Sequence, residues 1–511
     1  MDPDDFQDPL LVSIGGTMAT ITTLEEAVAD LLHASAYLAE DVESVDEMSE
    51  AMNIVVPRIL ERGEMDLAAA MADVTIDPLT RDRLLIAVAE ACIGRNDDDY
   101  AMQLVEAIEE EALSAGAYER VALKMVERGD TDRALEIAEN LSHPDEIFKS
   151  VAMEHYRHGR FEESFSCASM ITIPVTRALL AIALARMAHE RESPVEFKNQ
   201  IDNAERYSAQ TDLPEEAANI LLEIGGLCLE ADRGDLAIGR FEKVRDLCEK
   251  LSWPHRDNLL GAAATGLFSA GSETLADMAL DLVTDKSVLA KTLSAFAAQL
   301  RKQGEEASAL EALDEAHEIL GSQKDKEIRD HRANNSAWRG VAVQFMLTGS
   351  APKALKVIGE IEDDETRTSS ASQCALVAAD SSDDSDWRVF FNMIGDPIVE
   401  GMTLIAIAGT ANRKGDSQAV KALVKECSDR LDSIHQPVAA CAVSTELFDL
   451  QCRIGDPVGA HGSLMHALLV CSSMVNRSSQ SIALARLSSK TDANRYALDE
   501  LASASLKSFI C

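Results

Sequence analysis

Three short stretches carry residue types that do chemistry in other proteins. MEHYRH (153–158) places His155 and His158 about one helical turn apart beside Glu154, and two imidazoles at that spacing can share a metal ion. No third ligand lies nearby in sequence, and His155 falls in a column of helix-packing residues, so packing and surface roles explain the stretch better. DSSDDSDW (380–387) offers hard oxygen ligands of the kind Ca2+ prefers, but its acids lack EF-hand spacing and no glycine stands in the required place. With NDDDY (96–100) and EDDET (362–366), it reads as acids capping helix starts. IGGTM (14–18) is glycine-rich, yet it has no lysine and follows no strand-like pattern. It is a poor phosphate loop and reads as a flexible approach to the first helix. No Ser/His/Asp or Cys/His set carries a local signature. The residues therefore predict no catalytic group, no cofactor and no metal site.

The elements that would position any such residue repeat along the chain. Nine units share a turn glycine: Gly63, Gly129, Gly159, Gly234, Gly271, Gly304, Gly349, Gly415 and Gly455. Five residues later come Ala68, Ala134, Ser164, Gly239, Ala276, Ala309, Ala354, Val420 and Ala460, nearly all small. Seven residues before the glycine, six of the nine units have alanine: Ala122, Ala152, Ala264, Ala297, Ala342 and Ala408. Apolar residues recur eight and eleven before it and nine after it. These offsets form one stripe on each of two helices. Glycine ends the first helix, an acid or serine starts the second, and the small residues bring the pair close. A tenth unit uses Asn96 in the turn, the next residue able to adopt the glycine conformation. Weaker units are expected over 175–208, 367–394 and 478–510. The array reads as continuous over 24–511, with soft breaks near 193–214, 321–335 and 380–386, behind a flexible or capping tail at 1–23.

Length and composition agree. A chain of 511 residues exceeds what one compact core serves, roughly 250–300 residues. Aromatics make up only 4% of it, which favours close-packed helices over strands. The net charge of −41 repels phosphate backbones and anionic membranes, so neither nucleic acid nor a membrane is an expected partner. The acidity reads either as a solvated surface or as attraction for a basic partner. Ten cysteines show no C-x-x-C pair and fit a reducing cytoplasm. The acidic start, MDPDDFQDPL, does not look like a signal peptide, and no apolar run is long enough to cross a bilayer.

In these columns the chain resembles the tetratricopeptide repeat family. Trp338, Ala342, Gly349 and Ala354 match its pattern, as do Tyr118, Ala122, Gly129 and Ala134. The resemblance spans about 48–475. It departs where a tyrosine is usual four before the glycine, which is here Met125, His155 or Leu267. It implies an all-α, right-handed superhelical solenoid of antiparallel hairpins, about 12–14 units long. It also implies a protein or peptide ligand held in a concave groove lined by the first helices. The family's groove offsets fall here on Lys149, Tyr156, Asn258, Lys291, Arg301, Arg339 and Asn412. The cations among them could receive acidic side chains or a terminal carboxylate, or pair with local acids. The expected role is a non-catalytic interaction scaffold. Two alternatives stand beside it: an acidic chaperone or sequestering protein for basic clients, and a peptide or metabolite sensor, which calls for a closed ring or a pocket.

Overall fold

The computed structural model describes residues 21–323, 330–381 and 386–510. The tail at 1–20, with IGGTM, lies outside them, as do parts of two expected soft breaks and half of DSSDDSDW. Among the described residues there are 28 α-helices, one short 3-10 turn and no strand.

The chain opens with α1 (Leu24–Ala29) and α2 (Leu31–Glu40), then runs through helical hairpins. These are α3 (Val45–Arg62) with α4 (Met65–Asp73), α5 (Pro78–Gly94) with α6 (Asp98–Glu106), and α7 (Glu111–Arg128) with α8 (Thr131–Ala138). There follow α9 (Asp145–Arg157) with α10 (Phe161–Met170), α11 (Pro174–Glu190) with α12 (Pro194–Ser208), and α13 (Pro214–Glu230) with α14 (Gly234–Cys248). Next come α15 (His255–Ser269) with α16 (Glu273–Leu280), α17 (Lys286–Gln303) with α18 (Glu306–Gly321), and α19 (His331–Leu347) with α20 (Ala351–Glu360). The last complete pairs are α21 (Asp364–Asp380) with α22 (Trp387–Phe391), α23 (Pro397–Arg413) with α24 (Ser417–Arg430), and α25 (Pro437–Arg453) with α26 (Pro457–Ser472). The chain ends with α27 (Arg477–Ala493) and α28 (Glu500–Ile510).

The turns follow the expected chemistry. Gly129 sits at φ 92° with its amide bonded back to α7, while the Asp130 side chain caps α8. Asn96 takes the same left-handed conformation at φ 65°. The six alanines seven before the glycines are all fully buried, which sets helix pairs close together. One register is corrected. Gly234 is not the turn residue but the first residue of α14; the left-handed residue is Asp232 at φ 55°. Counting from Asp232 puts Gly225 and Ala237, both buried, in the small-residue columns. Glu192 and Arg495 also take left-handed turns, which is why their units lack the glycine signal. Asp97 and Asp363 cap α6 and α21 as the acidic stretches suggested.

The first helices of the hairpins, the odd-numbered α3 to α27, each pack on the one before and the one after. No comparable packing joins successive second helices, which therefore splay outward and leave the first helices as the inner wall. The circuit then closes: α27 packs against α3, and α2 packs along α27 as a second helix does along its first. The thirteenth hairpin is thus built from both ends of the chain. Its core joins Leu31, Ala34 and Leu38 to Leu484 and Leu487. Thirteen inner helices with axes about 9 Å apart and about 10 Å thick would leave, if round, an opening on the order of 25 Å. Among the described residues no helix is long and apolar enough to cross a membrane.

Candidate functional site

The inner wall is uneven in charge. On α3 to α13 its exposed or half-exposed positions include Glu50, Glu90, Glu119, Glu190 and Glu223. The wall changes at α17 and α19, neither of which contains any Asp or Glu, in a chain with 88 acids. Between them they carry Lys286, Lys291, Arg301, Lys302, Arg332 and Arg339. Ser287 of α17 donates to Asn334 of α19 at 3.3 Å, which sets the register of the two parallel helices. One turn further along, Lys291 stands level with Trp338 and Arg339. Arg301 lies about 15 Å further along α17 by helix rise.

Lys291, Arg301 and Arg339 are half-buried. None of them takes part in an ion pair among the described residues, and the Nε of Arg301 is buried with no hydrogen-bond partner. An unpaired, partly desolvated guanidinium is costly, and an anion laid against this wall would offset that cost. Asn258 of α15 and Asn412 of α23 are exposed to either side of the cationic pair of helices.

Lys149 and Tyr156 lie elsewhere, on α9. Lys149 pairs with Glu146 on its own helix. It also lines a cavity of about 600 Å3 with Met153, Arg157, Leu179, Arg186, Met187 and Arg191 of α9, α11 and the turn after it, with Glu190 and Glu223 also in its lining. Tyr156 does not face the groove as expected: it is fully buried. Arg191 explains this. Its guanidinium donates to the carbonyls of Tyr156 and Arg157 at 2.9 and 2.8 Å and lies 4.9 Å above the Tyr156 ring, which Phe161 of α10 also meets edge-on. Burial, followed by the neighbouring Glu196 carboxylate, raises the Tyr156 phenol above its ordinary pKa. The seven expected contacts therefore divide into the α17–α19 cations with their flanking asparagines, the α9 cavity, and one core residue. Sequence reasoning missed Arg186, Met187 and Arg191 because their unit turns at Glu192 rather than at a glycine.

The histidine stretch is structural. His155 is buried, and burial lowers its pKa, while His158 bonds Glu154 at 2.8 Å. No group of three or more metal-ligating side chains occurs among the described residues.

No family model matches the chain, and no curated protein matches it. Solved helical-repeat structures do. Ton1535 from Thermococcus onnurineus NA1 is 14% identical over 69% of this chain and 97% of its own, at a TM-score of 0.24. Yeast Tom70 is 14% identical over 89% of this chain and 98% of its own, at 0.27. A circular tandem repeat protein is 15% identical over 91% of this chain and 94% of its own, at 0.17. The likeness is one of helical-repeat layout; the fold rests on the helices described above.

Proposed function

We propose that this protein is a non-catalytic interaction scaffold whose inner wall holds an acidic segment of a partner protein against α17 and α19. The observation that carries this reading is the carboxylate-free pair of helices bearing Lys291, Arg301 and Arg339 without ion-pair partners. In a chain of net charge −41, such cations are the groups an acidic peptide would complement. The surrounding acidic surface disfavours a long polyphosphate and restricts the ligand to a short anionic stretch.

Fluorescence anisotropy with a labelled glutamate-rich peptide of about 20 residues tests this at low and at physiological salt. The double variant Lys291→Glu, Arg339→Glu should weaken binding at least about tenfold, the scale of losing two charge-assisted contacts, whereas Lys149→Glu should leave it unchanged. Equal binding by wild type and the double variant would sink the reading.

A second reading has its own support. The closed circuit and the 600 Å3 cavity beside Lys149 are of the size that holds a small ligand, as a peptide or metabolite sensor would require. A melting shift with a small anionic or amphipathic compound that Arg186→Ala removes would favour it.

A further inference from the structure

A closed circuit built from a linear chain has one place where no peptide crosses it. Every other pair of neighbouring hairpins is tied by a connector. Between α27 with α28 on one side and α1 with α2 on the other, the ring is held by side chains alone. An opening on the order of 25 Å, given helices spaced about 9 Å apart, is too narrow for most folded domains. A partner segment flanked by folded domains on both sides can reach the inner wall only through this seam.

The seam sets a few hydroxyl groups within an otherwise apolar joint. Of the buried polar residues of α27, Ser481 and Ser488 bond across the seam, whereas Gln480 bonds back to Cys471 and Met474 and Thr491 to Ser488 on their own side. The six buried residues of α3, its neighbour in the ring, are all apolar. Ser35 and Ser481 meet at the centre, each hydroxyl donating to the other residue's carbonyl at 2.7 Å. Ser35 and Ser481 can exchange their bonds for water when the faces part, and parting also exposes Leu31, Ala34 and Leu38 and their partners Leu484 and Leu487. At the rim, Asp492 receives both Arg58 and Arg62, and Arg62 also reaches Asp30 at 2.7 Å. Opening the ring parts α27 from both α2 and α3, while every other pair of neighbouring first helices stays packed.

We infer that the seam where α27 meets α2 and α3 is a gate through which the ring admits an internal segment of a longer partner chain, closing around it. The gate follows from the topology, since no connector crosses this joint; what it admits rests on the inner-wall reading proposed above.

Hydrogen exchange on the full-length protein tests the gate without any ligand. Amides of α1, α2 and α27 should exchange together, about tenfold or more faster than those of α17 and α19, as a sub-global opening requires. Equal or greater protection at the seam overturns the gate. The variant Ser35→Cys, Ser481→Cys, whose parent hydroxyl oxygens are 3.1 Å apart, should form a disulfide that slows this exchange. Two probes then separate the readings: a glutamate-rich peptide with free ends, and the same peptide fused between two folded domains wider than the opening. The oxidised ring should keep the free peptide and lose the blocked one, with recovery on reduction. Capture of the blocked probe by the oxidised ring as readily as by the reduced ring overturns the gate. If the free peptide does not bind the wild-type ring, the inner-wall reading fails, and the exchange result alone decides the gate.

Discussion

Arg128 in the first helix of one hairpin grips Asp98 of the hairpin before it with both guanidinium arms, at 2.6 and 2.8 Å, and Arg133 closes on the same carboxylate. Hydrogen bonding from Arg128 holds Asp98 below the usual carboxylate pKa against the opposing effect of burial. A pKa lowered by folding stabilises the fold above the unfolded carboxylate value, about 4, and that stability is lost as pH falls through the lowered folded value. Asp98→Asn should cost about 2 kcal/mol at neutral pH, less than a fully buried pair because Arg133 is half-exposed. Urea unfolding across pH 2–7 checks both points: the variant should show a shallower loss of stability on the acid side.

Phe241 of α14 presses into a notch between Gly225 and Gly266, where a methyl group on either glycine would sit about 2.5 Å from the ring. Gly266→Ala should therefore destabilise by about 1–3 kcal/mol through overpacking. Phe241→Ala should cost about 3–5 kcal/mol through the cavity it leaves. Combined in one chain, the two changes should cost less than their sum, because the smaller side chain makes room for the methyl. Thermal melts of the four proteins give the coupling.

The corrected register at Asp232 makes a prediction of opposite sign to that for a turn glycine. Asp232 holds a left-handed backbone at φ 55° without being glycine. Asp232→Gly relieves that strain but adds freedom to the unfolded chain, leaving a gain of about 0.5 kcal/mol. Gly129→Ala, at φ 92°, should lose about 1 kcal/mol, since the methyl meets only backbone strain there. Differential scanning calorimetry should shift the two midpoints in opposite directions.

The described cysteines should be poor nucleophiles. Burial pushes the thiols of Cys374 and Cys427 up to about 12, so almost no thiolate forms at pH 8. Ellman's reagent should find these two unreactive in the native protein and all ten cysteines reactive in denaturant. Rapid native labelling of Cys374 would show that α21 opens far more easily than its packing implies.

Much of the hairpin is local and can be read from the chain. Gly129 stops a helix, Asp130 starts the next, and Ala122 and Ala134 set how closely they pack, all within about a dozen residues. Where the glycine is replaced, as at Glu192 and Asp232, the signal fades, because neighbouring packing rather than residue preference enforces the left-handed turn. Lys149 finds Glu146 three residues away, a pairing that helical spacing makes legible. The lack of partners at Arg339 depends instead on side chains from other helices, which only the assembled wall brings near. Ring closure lies furthest from the sequence. It depends on small rotations between neighbouring hairpins adding up to a full turn after thirteen units, and no local window encodes that sum. Ser35 and Ser481 are unremarkable serines 446 residues apart; only the accumulated geometry makes them neighbours. The sequence alone determined the repeating hairpin and its joints, and the tertiary structure decided that the array returns to its own beginning.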